Sequence, residues 1–159
     1  ARLQLTVRSY SDESRQQLLD GIARIARGEA IAAGMPDDKL PSMTVKTPYT
    51  PATFNTAALT ERVVATLTPR FQNRLMEVPA VMGGEDFSQY YRADRENVES
   101  LILWVGGVRA EEWAKAQAGE ITLPSLHSPF WAPDAPVVIA TATEALTAAT
   151  LDLMKKQGG

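Results

Sequence analysis

A chain of 159 residues is long enough for one domain, or for one domain and part of another, and a 45% hydrophobic content can fill a sizeable core. The 16 basic and 19 acidic residues are interspersed to a formal net charge of -3, which leaves no basic stripe for a phosphate backbone and excludes nucleic acid as an expected partner. The absence of cysteine excludes disulfides, thiolate zinc sites and thiol nucleophiles.

No continuous apolar run approaches the ~18 residues of a spanning helix, so no membrane partner is expected. Ala1-Arg2-Leu3-Gln4 lacks the charged-then-apolar order of a signal peptide, and the compartment stays open. Leu3, Leu5 and Val7 alternate with Gln4, Thr6 and Arg8, the period-two pattern of a half-buried strand. Because this pattern begins at once, the chain reads as one entered in its middle.

Ser9 to Glu13 supplies capping side chains and first-turn acids, and Leu18, Ile22, Ile25 and Ala26 follow at helical spacing towards Gly34. A helix of about 20 residues is expected there. Met35-Pro36-Asp37-Asp38 turns the chain, and Ser42 to Thr47 alternates again as a second strand. Strand, helix, strand is half of a split βαβ unit. The prolines of Thr47-Pro48-Tyr49-Thr50-Pro51 mark a linker, with a domain boundary between residues 1–48 and 49–159.

Beyond the linker, Leu59, Val63 and Leu67 share a helical face that Pro69 is expected to end. Arg70 to Met82 is mixed and includes an expected short strand. Gly83-Gly84-Glu85-Asp86-Phe87 describes a tight turn entering a helix, with backbone free to approach a ligand and carboxylates in the first turn. An ordinary helix start accounts for the same residues. Ser100 to Gly107 is a short continuous apolar run of the kind found in central strands covered on both faces. A loop with one helical turn near Glu111 to Ala116 leads to the single histidine, His127, in the proline-bracketed stretch Pro124-Ser125-Leu126-His127-Ser128-Pro129. Its imidazole is a candidate metal ligand, or else an ordinary loop histidine half covered by Phe130 or Trp131. Asp134 and Pro136 then open a helix whose face is Val138, Ala142, Ala145, Leu146, Ala149 and Leu153, closed by Lys155, Lys156 and Gly158. Alternating strands and helices predict an α/β fold.

Four stretches in this order resemble the C-terminal part of the dinuclear metal-dependent amidohydrolases, the family of hippurate hydrolase, N-acyl-amino-acid amidohydrolase and the auxin-conjugate hydrolases. They are Leu5-Thr6-Val7-Arg8-Ser9-Tyr10, Tyr49-Thr50-Pro51-Ala52-Thr53-Phe54-Asn55, Met82-Gly83-Gly84-Glu85-Asp86-Phe87-Ser88 and Leu126-His127-Ser128-Pro129. The resemblance implies that residues 1–48 are the second half of a ferredoxin-like lid, which also dimerises. It makes 49–159 the C-terminal part of an α/β zinc-peptidase-like catalytic domain. It implies that His127 binds metal, that Arg8 receives the carboxylate of the substrate, and that Gly83, Gly84, Glu85 and Asp86 line the substrate pocket. Read without the family, Arg8 is a solvent-facing charge on the polar side of a strand.

The implied activity is cleavage of the amide bond of an N-acyl amino acid or small peptide by metal-activated water. Two divalent ions, zinc, manganese or cobalt, would lie ~3.5–4 Å apart and need several ligands and a general base. One histidine cannot supply these, so no catalytic residue is expected in this chain. The missing ligands would belong to an N-terminal half outside it, and the 159 residues alone are expected to be inactive. The rival expectation is a non-catalytic α/β binding or oligomerisation module. A serine hydrolase has little support, since no Gly-x-Ser-x-Gly elbow is present.

Overall fold

The computed structural model describes residues 1–155, and the helix-closing residues Lys156 and Gly158 lie outside them. Among the described residues every regular element is helical: α1 (Asp12–Ala32), α2 (Ala57–Phe71), α3 (Ser88–Ala93), α4 (Ala110–Gln117) and α5 (Ala135–Leu153), with 3-10 turns at Asp37–Lys39 and Gln72–Arg74. This overturns the expected α/β class, both as a ferredoxin-like half-lid and as part of a zinc-peptidase-like domain.

The physical reason lies in what a strand needs. Alternating apolar residues make a strand only where a neighbour accepts and donates the ladder bonds and a core covers one face. Neither condition holds for the first segment, where Leu3 is 86% and Leu5 65% exposed. The apolar run from Ser100 mixes backbone and side-chain bonds instead of forming a ladder. Thr56 N–H donates to the Ser100 carbonyl at 2.8 Å, while the Ser100 N–H turns to the Thr56 hydroxyl at 3.2 Å. Trp104, within the run expected to be covered on both faces, is exposed.

Two compact units divide the chain. The first comprises Ala1–Thr56 and Val78–Ile102, the second Ala57–Glu77 and Leu103 onward. In the first unit, α1 starts where the capping pattern predicts. Ser11 is extended, and its hydroxyl accepts the Ser14 N–H at 3.1 Å. The helix stops two residues before Gly34, whose φ of +73° lets Gly34 N–H reach the Ile31 carbonyl and Met35 N–H the Ala30 carbonyl. That paired closure satisfies carbonyls that the last turn would leave free. Leu19 is the buried residue of α1.

In the second unit, α2 buries Val63, Leu67 and Phe71 and α5 buries Ala145, Ala148 and Ala149. Small alanine side chains let the two helices approach closely. Arg62 pairs with Asp152 and Arg70 with Glu144, so residues rising along one helix meet residues falling along the other and the pair is antiparallel. Pro69 does not end α2 as expected. It sits in the last turn, where its missing N–H removes a single bond and the helix continues to Phe71.

The expectation that no segment is apolar enough to span a membrane also needs correcting. By length and composition the 19-residue α5 qualifies, because alanine and threonine with few charges reach the threshold without a continuous apolar run. Only 17% of its most apolar stretch is buried. Ile139, Leu146 and Leu151 stand above 60% exposed.

Candidate functional site

Three of the four stretches that carry the family resemblance meet within the first unit. The leading segment brings Arg8 to the turn, where its Nη1 donates to the Met82 carbonyl at 2.6 Å across 74 positions of sequence. Met82 immediately precedes Gly83 and Gly84. The Thr50–Thr53 stretch packs against the turn. A β-carbon on Gly84 would sit 3.3 Å from the Pro51 carbonyl oxygen and 3.4 Å from Thr50 Cγ2, so glycine permits this closeness. Glu85 N–H donates to Thr53 Oγ1 at 3.2 Å, and the buried Ser88 hydroxyl donates to the Pro51 carbonyl at 3.5 Å.

The acids do not occupy the first turn of a helix. Glu85 and Asp86 lie in the turn before α3, which begins only at Ser88, and their carbonyls accept the Ser88 and Gln89 N–H groups at 3.0 Å each. Arg8, Gly83, Gly84, Glu85 and Asp86 are all exposed. The exposed guanidinium of Arg8 beside the turn suits an anionic ligand oxygen, while the acids Glu85 and Asp86 of the same turn disfavour one.

His127 belongs to the second unit, whereas Arg8 and the Gly83–Asp86 turn belong to the first. Its loop is a pair of consecutive turns, closed by Ser128 N–H to the Ser125 carbonyl at 2.9 Å and Trp131 N–H to the Ser128 carbonyl at 3.0 Å. Phe130 is 84% exposed and Trp131 lies over Gly107, so the imidazole is exposed rather than half covered by an aromatic ring. Among the described residues no three His, Asp or Glu side chains gather where they could hold a metal. The donors among the described residues therefore do not by themselves fit a pair of divalent ions, and His127 stands as a single imidazole.

Sequence reasoning missed a polar network beside the turn. Asp12, the first residue of α1, accepts Arg92 Nη1 from α3 at 2.5 Å and the Tyr49 hydroxyl at 2.8 Å. The Arg92 bond above all, and then the Tyr49 bond, hold the Asp12 carboxyl below its ordinary value. Asp12 was legible only as a first-turn acid, since partners 37 and 80 positions away leave no local signal.

Comparison of the chain with protein-family models, with curated proteins and with solved structures returned no match.

Proposed function

We propose that this chain is part of a metal-dependent amidohydrolase, in which Arg8 receives the carboxylate of an N-acyl amino acid or small peptide beside the Gly83–Asp86 turn. The observation that carries this reading is the 2.6 Å bond from Arg8 to the Met82 carbonyl, which sets the candidate carboxylate clamp against the candidate pocket turn. With Nη1 so engaged, the Nε and Nη2 edge of the planar guanidinium remains for two parallel bonds to a carboxylate. Gly83, with only Val81 Cγ2 near its missing β-carbon, leaves the ligand a path to the backbone.

The complete site would hold two divalent metal ions, whose chemistry is to lower the pKa of a bound water. In this reading the metal ligands and the general base would come from polypeptide outside these residues. Exposed apolar side chains in the second unit support such a partner: Ile139, Leu146 and Leu151 of α5 stand above 60% exposed.

The test is an NMR titration of the chain with N-benzoylglycine and with N-benzoylglycinamide, which lacks the carboxylate. The acid is expected to shift Arg8 and Gly83–Asp86 resonances, the amide to leave them in place, and Arg8→Lys to weaken the acid about tenfold through loss of the planar fork. Equal responses to acid and amide would overturn the carboxylate reading. The chain loaded with zinc or manganese is expected to be inactive, and turnover at an enzyme-like rate would show that it needs no partner.

A further inference from the structure

We infer that Asp12, Tyr49 and Arg92 are positioning residues that hold the diglycine turn against Arg8 and thereby set the affinity for the substrate carboxylate. This rests on the amidohydrolase reading of the same site. Each of the three residues belongs to a different segment of the site. Asp12 lies four positions after Arg8, so the leading segment carries both. Arg92 lies on α3, the helix that the Gly83–Asp86 turn enters. Tyr49 opens the stretch whose Pro51 carbonyl and Thr53 hydroxyl contact Gly84 and Glu85.

The triad ties these segments at one point. Asp12 uses one oxygen for Arg92 at 2.5 Å and the other for the Tyr49 hydroxyl at 2.8 Å, and Arg92 Nη2 also reaches that hydroxyl at 3.5 Å. The Tyr49 ring is fixed in turn by the Arg15 guanidinium 3.8 Å from its centre. The leading segment and the turn with its helix are therefore joined twice, by Arg8 to Met82 and by Asp12 to Arg92. Two tethers between the same segments fix an orientation that one leaves free to pivot. Releasing the second lets Arg8 and the turn move apart, and a clamp loose by about 1 Å loses most of its advantage.

Calorimetry with N-benzoylglycine and N-benzoylglycinamide tests this on Asp12→Asn and Tyr49→Phe. Tyr49→Phe removes only the hydroxyl and keeps the ring beneath Arg15, so it is the variant expected to keep the native circular dichroism. Both variants are expected to bind the acid about tenfold more weakly and to lose its advantage over the amide. An Asp12→Asn/Arg92→Gln double variant is expected to be no weaker than the worse single one, because both remove one bond. If the parent chain shows no preference for the acid, the amidohydrolase reading falls. If the parent chain prefers the acid and Tyr49→Phe keeps that preference within twofold, the positioning role falls and the function stands.

Discussion

The Asn55 amide and the Ile102 peptide exchange two hydrogen bonds: Ile102 N–H donates to Asn55 Oδ1 at 2.9 Å, and Asn55 Nδ2 donates to the Ile102 carbonyl at 3.2 Å. A side-chain amide thus takes the place that a neighbouring strand would fill, and the apolar run is anchored without a sheet. Asn55→Ala is expected to lower the stability of the chain by about 1 kcal/mol, and Asn55→Asp by at least as much, since it keeps one acceptor and sets a negative charge against the Ile102 carbonyl. Urea midpoints at neutral pH measure both.

The diglycine turn makes a sharper comparison. Gly84→Ala forces a β-carbon to 3.3 Å from the carbonyl oxygen of Pro51, whose burial restricts any retreat, and a loss of about 1 kcal/mol is expected. Gly83→Ala meets only Val81 Cγ2 at an ordinary 3.8 Å and is expected to stay within about 0.5 kcal/mol of the parent. Equal denaturation midpoints for the two variants would show that the turn is not held against Pro51.

Asp12 makes the stability of the chain depend on acid. Its carboxyl is lowered from 3.8, first by the Arg92 bond and then by the Tyr49 bond. Its contribution is therefore fully present above 3.8 and is lost as the pH falls through the lowered value in the folded chain. The side chain is 41% exposed, so solvent screens the pair and the contribution stays below about 1 kcal/mol. Thermal melts are expected to show Asp12→Asn below the parent at pH 6 and level with it at the acid limit.

Leu67 and Leu146 separate the core of the second unit from its open face. Leu67 is 2% exposed, and Leu67→Ala is expected to cost about 2–5 kcal/mol. Leu146, on the α5 face expected to be buried, is 63% exposed, and Leu146→Ala is expected to change the isolated chain by less than about 0.5 kcal/mol. A large loss at Leu146 in the chain alone would mean that the face is already covered.

The helices were legible because their bonds are local. Ser11 with the acids after it, the Val63 and Leu67 spacing, and Asp134 with Pro136 each announce an element whose N–H groups are satisfied four residues away within the same segment. Two limits were not legible. Pro69 is tolerated in a last turn, and the acids after Gly84 precede α3 rather than enter it. The candidate site was readable as separate stretches around Arg8, Thr53 and Gly84.

Which of those stretches adjoin is a matter of the folded chain alone. Arg8 finds Met82 across 74 positions and Asp12 finds Arg92 across 80, and no periodicity in either segment points to its partner. The same reason explains the strands read into Leu3 to Val7 and Ser100 to Gly107. Alternation or apolar character makes a segment able to join a sheet, but the bonds that make it a strand come from a remote neighbour, and among the described residues that neighbour is absent.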